Sequence, residues 1–496
     1  MLLIKNAKII DGTGGLPFLG DVLVRDGLIS EIGNLKNRKI EHVLDVNGQY
    51  LIPGIIDINT SSDHYFTLFS DKDQESFLSQ GVTTIIGGHC GVSLAPSYSG
   101  EFYGMENWSI PHGHNVNWHG IDGLLKTIEK NGLGVNFGTF IGYNSVRGNI
   151  LGDQKRDLTI NEIKVAKKII TSGLEEGAIG ISLGLGFIDG KSISHKEIVE
   201  ALEPVKKMDR IFSVHLKNYK ENLERSISDI LNISESTGVT TLISHLNPII
   251  GFEKSFGNAI GSLSKKSNNK IYFDSYASEW SLLPIQFMLP DWVKFGKVED
   301  ILNKIKEKNS REKIISEIEY FNPQNIQIAH SKILPHLEGK TIEDYSTNRG
   351  ISAKEAILEL LEKSKFQMSI FIKNINHDYA LMNLLENNAV LSSNAPGFNF
   401  EKSGLNHERN LNIFSNFFKF SENSKKITIE SAVRKTTSLP ASILGIKNRG
   451  VIAKNFIADI AILDKNWKAR EVFIKGKKVF SEGKSLNKLG GKILKK

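Results

Sequence analysis

An α/β fold is predicted for this chain: a closed eightfold barrel, (β/α)8 of TIM type, with a small β domain built from both termini. Two observations predict it. Both ends read as short strands broken by turns. At the start these are Leu2–Ile4, Ala7–Ile10, Asp21–Arg25 and Leu28–Ile32, with turns at Asp11-Gly12, Gly14-Gly15 and Asp26-Gly27. At the end they are Ala458–Leu463, Ala469–Ile474 and Lys477–Phe480, with turns at Lys475-Gly476 and Glu482-Gly483. Between them, apolar strand-like runs alternate with amphipathic helices, which is the pattern of a parallel sheet.

The strand-like runs of the middle are Gly81–Gly87, Asn136–Ile141, Ala178–Ser182, Ile211–His215, Thr240–Ser244, Ile271–Phe273 and Ala389–Ser392. Helical spacing recurs over Ile160–Glu176, Lys196–Lys207, Lys220–Thr237 and Ala353–Lys363. The number of units suits a closed barrel better than an open sheet. The charged stretch 291–344 breaks the rhythm and reads as a helical insertion in a barrel loop. The expected division is 1–55 and 440–484 for the β domain, 56–439 for the barrel, and 485–496 for a basic tail.

The chain has 496 residues, of which 40% are hydrophobic and 24% charged, with a net charge of +7. These values exclude disordered, collagen-like and membrane-spanning classes. The positive excess is mild and sits partly in the tail, from Lys484 to Lys496, read here as a solvated end; no nucleic-acid or membrane partner is expected. A single cysteine, Cys90, allows no intrachain disulfide. That favours a reducing compartment, and a cytoplasmic protein is expected. Nothing in the sequence speaks to oligomeric state.

In a barrel of this kind, chemistry gathers where strands end at the C-terminal face. Cys90 follows Thr84-Ile-Ile-Gly-Gly-His89, His215 follows Ile211-Phe-Ser-Val214, and His245 follows Thr241-Leu-Ile-Ser244. A thiolate and two imidazoles suit Zn²⁺, which binds Cys S and His N tetrahedrally and can leave a fourth position open. Taken singly, each has a blander reading: a buried cysteine as a small hydrophobe, a strand-end histidine as a hydrogen-bonded structural group.

The chain resembles the D-aminoacylase (N-acyl-D-amino-acid deacylase) family of the metal-dependent amidohydrolase superfamily. The resemblance is carried by Ile10-Asp-Gly-Thr-Gly14, Leu51-Ile-Pro-Gly-Ile-Ile-Asp57, Gln80-Gly-Val-Thr-Thr84 and Cys90-Gly-Val-Ser-Leu-Ala-Pro96. It continues through Glu176-Gly-Ala-Ile-Gly-Ile-Ser182, Ile243-Ser-His-Leu246, Ala432-Val-Arg-Lys-Thr-Thr-Ser-Leu-Pro440 and Asn448-Arg-Gly-Val-Ile452. It implies a barrel with a β-sandwich from both termini, and metal-dependent hydrolysis of a non-peptide C–N bond, the substrate being an N-acyl amino acid or related amide. It also implies one zinc on Cys90, His215 and His245, and substrate contacts at Lys217, Tyr276, Tyr143 and Phe187.

The sequence departs from the family where catalysis is concentrated. An active member's first barrel strand ends Asp-x-His-Thr-His; here it is Asp57-Ile-Asn-Thr-Ser61, so Asn59 and Ser61 replace two ligand histidines. The Ser-Asp-Gly turn after the last strand is Ser393-Asn-Ala395, so Asn394 stands for the catalytic aspartate. The family's Gly-His-Gly-Thr-Leu-Arg reads Gly142-Tyr-Asn-Ser-Val-Arg147, and a tyrosine is lost at Phe187. Asn and Ser are poor ligands for a transition metal, and an amide takes no proton from water near pH 7. Asn59, Ser61 and Asn394 are thus expected to form a degenerate second metal position of neutral groups. Asp63, His64 and His89 are the nearby candidates for a displaced base.

Two functions follow as expectations: a hydrolase of D-aminoacylase type, or a catalytically degenerate homologue that keeps the barrel and one zinc and acts by binding. A cyclic-amide hydrolase of hydantoinase or dihydroorotase type fits less well, because those enzymes use a bridging carboxylated lysine where this chain has Cys90.

Overall fold

The computed structural model describes residues 1–35, 38, 40–98, 101–105, 108, 116–152, 154, 156–187, 193–266, 270–294, 298–400 and 404–496. The described residues form an α/β protein with four sheets. A nine-stranded sheet draws on both ends of the chain. Tyr50–Pro53 pairs with Leu2–Ile9 on one side and with Ile460–Leu463 on the other. Leu2–Ile9 is one strand where the sequence suggested two. A register shift between Ile4 and Ala7 interrupts it, with Asn6 at φ 57°, and this bulge looks like a gap in the pattern. The inner face packs Ile4, Ile9, Val22, Ile29, Ile460 and Phe473 into a core of its own.

The middle of the chain contributes two parallel sheets. One has the order Ala389–Leu391, Ile271–Ser275, Thr240–Ile243, Ile211–His215, Gly180–Gly184, Ile141–Gly142. The other has Ile55–Asp57, Val82–Gly87 and Asn136–Thr139. They adjoin at Phe140, whose N–H donates to Gly87 O at 3.0 Å. At the opposite edges, Asn394 N–H donates to Asn59 O at 2.9 Å and Ser393 N–H to the Asp57 carboxylate at 3.0 Å.

Helices cross between these strands. Ile160–Glu175 starts at Thr159, which forms a capping box with Glu162, and buries Ala166, Ile170 and Leu174. His195–Lys207 starts at Ser194, whose side chain accepts from Glu197 N–H.

The excursion between Ile271–Ser275 and Ala389–Leu391 is broader than the charged stretch suggested. It carries the helices Val298–Lys306, Lys308–Glu317 and Ile342–Arg349, and also an antiparallel sheet of Trp280–Pro284, Met368–Lys373 and Ile326–Ser331. Residues 295–297 of the expected insertion lie outside the described residues. The helix Ala353–Ser364 packs into this unit's own core with Ile301, Ile328 and Ile370, not into the alternating barrel pattern. Periodicity identifies a helix and its apolar face but not the sheet that face will cover.

The basic tail is not a free solvated end. Phe137 N–H donates to Lys492 O at 3.0 Å, Leu494 N–H donates to Phe137 O at 2.8 Å, and the Lys495 ammonium reaches Asp122 at 2.9 Å. Its acidic and carbonyl partners lie far away in sequence, so local charge counting could not reveal them. Among the described residues, no helix is long and apolar enough to cross a membrane.

Candidate metal centre

Cys90, His215 and His245 meet at or just beyond the C-terminal ends of three strands: Val82–Gly87 in one parallel sheet, and the adjacent Ile211–His215 and Thr240–Ile243 in the other. Cys90 Sγ lies 3.7 Å from His215 Nδ1 and 3.6 Å from His245 Nε2, and the two nitrogens are 2.8 Å apart. Among the described residues this is the one cluster of three or more such side chains close enough to share an ion. A tetrahedral zinc requires S···N separations of about 3.5 Å and N···N of about 3.3 Å. The sulfur distances match, and the imidazoles would part by about half an ångström.

The local backbone is unusual at these places. Cys90 has φ 56°, His245 φ 38° and Asn394 φ 46°, left-handed values that residues other than glycine rarely adopt. Such conformations cost about 1–3 kcal/mol each and persist only where the surroundings enforce them. The enforcement at Cys90 is visible. Ser182 accepts from Gly91 N–H at 3.0 Å and donates to Gly88 O, pinning the chain on both sides of the cysteine. Gly91 itself tolerates no side chain, since a Cβ there would sit 2.2 Å from Asn144 Oδ1.

Burial tunes the donors in opposite directions. It pushes His245 down to about 4 and His215 well below its ordinary value, so both imidazoles are neutral and free to donate lone pairs. It pushes the Cys90 thiol up, helped by Asp274 and Asp63. A cation bound by the thiol and the two imidazoles would offset that burial and favour the thiolate.

A cavity of about 730 Å³ opens over the cluster. Lys217, Phe187, Tyr276, Ser61 and Asn394 all line it. The Phe187 ring lies on His215 with centroids 4.1 Å apart and touches Trp108 and Phe287, so an aromatic wall shields the imidazole from water. Tyr143 does not belong to this site. It is buried, and its hydroxyl donates to Glu197 at 3.0 Å in a cluster closed by Arg147. Its place in the sequence motif marks a strand end, but its side chain turns outward to the helix carrying Glu197.

Of the alternative bases, His89 has both nitrogens engaged, by Ile58 O at 2.8 Å and Ser213 Oγ at 3.1 Å. Asp63 accepts from Gly88 N–H at 2.6 Å and does not line the cavity. His64 does line it, stacked on Trp108.

The degenerate position is not composed of neutral groups alone. Asn59 is buried, and its amide donates to both oxygens of Asp274. Asp274 also accepts from Ser392 Oγ at 2.5 Å. Sequence reasoning passed over this carboxylate, although it sits at the end of a strand as Cys90 and the histidines do. Arg409 was also missed. It is buried with its guanidinium 4.6 Å from the Tyr276 ring centroid and one nitrogen, Nη2, unpartnered. It lies far from every motif, and nothing in its neighbourhood in sequence marks it.

No family model matches the chain. Similarity to individual proteins is extensive. A D-aminoacylase of Alcaligenes xylosoxydans xylosoxydans is 22% identical over 473 residues, covering 93% of this chain and 88% of that protein. The chain is similar to the D-aminoacylases along almost its whole length. An N-acyl-D-aspartate deacylase of the same organism is also 22% identical, over 93% of this chain and 85% of its own. The likeness to D-aminoacylases extends to the fold. A D-aminoacylase crystal structure that defines a subset of amidohydrolases superposes with a TM-score of 0.82 at 21% identity, covering 100% of this chain and 99% of that one. An N-acyl-D-glutamate deacylase of Bordetella bronchiseptica, complexed with zinc and a phosphonate inhibitor, superposes at 0.81 with 20% identity and the same coverage.

Proposed function

We propose that this chain is a metal-dependent hydrolase of C–N bonds other than peptide bonds, acting on N-acyl amino acids, with a single zinc on Cys90, His215 and His245. The observation that carries this reading is the convergence of the one thiol and two neutral imidazoles at zinc-compatible separations. The likeness to D-aminoacylases supports it, as does the zinc in the deacylase structure. The eight parallel strands from Ile55–Asp57 to Ala389–Leu391 are read as one closed barrel, counting the segment around Phe140 once. Residues 1–55 and 440–484 are read as its β-sandwich companion.

Zinc held there supplies Lewis-acid polarisation of an amide carbonyl. The chain's own residues do the rest. Phe187 and Trp108 exclude water from one side, Lys217 offers its charge to the substrate's carboxylate, and Tyr276 forms part of the cavity wall that contacts the substrate. Lys217 offers charge without the two-pronged geometry of an arginine. Ser61 and Asn394 present a hydroxyl and an amide, which orient a water but accept no proton. Turnover is therefore expected to be slow.

Metal analysis together with a panel of N-acyl-D-amino acids tests the proposal. One zinc per chain, removable by chelation, with slow chelator-sensitive turnover, is the expected result. A protein that takes up no zinc at all would end this reading. Stoichiometric zinc with no turnover on any member of the panel would favour the degenerate, ligand-binding homologue, which the amide at Asn394 also motivates.

A further inference from the structure

The loop after His215 runs Leu216-Lys-Asn-Tyr219, and Asn218 folds it back: its Oδ1 accepts from Lys220 N–H at 2.8 Å and from Asn222 N–H at 3.0 Å. The turn returns the Tyr219 ring over the strand ends it has just left. There it packs edge-on against His215, with centroids 5.0 Å apart, and at a tilt against His245, at 5.3 Å. Its hydroxyl accepts from Leu216 N–H at 2.9 Å and donates to Ser244 O at 3.0 Å. Leu216 directly follows His215, and Ser244 directly precedes His245. One oxygen therefore ties the backbone of one imidazole to the backbone of the other, across neighbouring strands joined in register at Val214 and Ile243.

We propose that Tyr219 is a positioning residue for the metal site: its hydroxyl sets the separation of the two strand ends, and its ring sets the tilt of both imidazoles. This rests on the metal reading given above. His215 closes its strand, but the ladder stops short of His245: Thr240–Ile243 ends two residues before it, and the last backbone bond between the two strands is Ser244 N–H to Val214 O at 2.8 Å. His245 stands in a left-handed conformation that the ladder does not impose. The Tyr219 bridge holds Ser244 O at the last step before His245 leaves the ladder. Groups that orient metal ligands from behind typically contribute 10–100-fold in affinity when removed.

The test uses the full chain and Tyr219→Phe, which keeps the ring and removes one oxygen. Zinc affinity is measured by competition with a chromophoric chelator, the visible spectrum is recorded with Co²⁺ in place of zinc, and the melting temperature of the metal-free protein is followed in parallel. The expected result is an affinity about 10–100-fold weaker and shifted cobalt bands. Tyr219→Leu, which removes the ring as well, is the second variant and is expected to lose more. A purely structural role would lower the metal-free melting temperature and leave affinity and spectrum unchanged; that result would overturn the proposal. A wild-type chain that binds neither zinc nor cobalt would instead sink the metal reading itself, so the two failures are distinct.

Discussion

Asn59 gives its side-chain amide to both carboxylate oxygens of Asp274, at 3.2 and 3.1 Å, in a fully buried contact between the segment after Ile55–Asp57 and the strand Ile271–Ser275. A buried carboxylate needs a cation, a proton or several donors. Here it has Asn59, Ser392 and the His245 backbone, yet burial still lifts Asp274 to about 6. The position that the D-aminoacylase likeness would give to a metal-binding histidine is thus occupied by an amide that serves a carboxylate.

Removing that amide should expose the cost. Asn59→Leu is expected to destabilise the protein by about 1–3 kcal/mol at pH 8, where Asp274 is charged. The loss should shrink at pH 5, where Asp274 holds a proton. Denaturant titrations at both pH values measure it, and equal losses would show that the amide serves packing alone.

Asp57 offers a second pH dependence. Burial raises it from the ordinary carboxylate range to about 7, against the opposing pull of the Ser393 donors. Its folded-state pKa exceeds its unfolded one, so its contribution is fully present below about pH 4 and is lost as pH rises to about 7. The difference is of the order of 4 kcal/mol. Asp57→Asn should therefore gain stability relative to wild type progressively across that window. A variant-minus-wild-type difference that does not change between pH 4.5 and pH 8 would refute this.

Asn394→Asp is expected to raise turnover of N-acyl-D-amino acids, because general acid–base help contributes about 10²–10⁴-fold. Asn59→His alone should not, since it takes Asp274's donor away. Combining Asn394→Asp, Asn59→His and Ser61→His should do best, because base and second metal position act together and their effects do not add. Steady-state rates on metal-loaded proteins decide. An Asn394→Asp protein that binds zinc and stays inert would place the defect in the pocket, with Phe187 and Lys217 tested next.

Deleting residues 490–496 should lower the melting temperature by at least about 2 °C. The tail gives backbone hydrogen bonds to Leu133 and Phe137 and packs beside the strand Asn136–Thr139. An unchanged melting curve would mean that those contacts contribute nothing net.

By itself the sequence determined the class of fold and the donors worth considering. Strand and helix periodicities are local, so Ile211–His215 and Ala469–Ile474 were legible residue for residue. The strand-end rule picked out Cys90, His215 and His245 one at a time. Only the tertiary structure brought their atoms within 3.7 Å, because that depends on how strands pack whose ligands lie 30, 125 and 155 residues apart. It alone turned Tyr143 away from the cavity, joined Asn59 to Asp274 across 215 positions, and bridged the histidine strands through Tyr219. Side-chain direction and long-range pairing follow from how elements pack, and no local pattern encodes them.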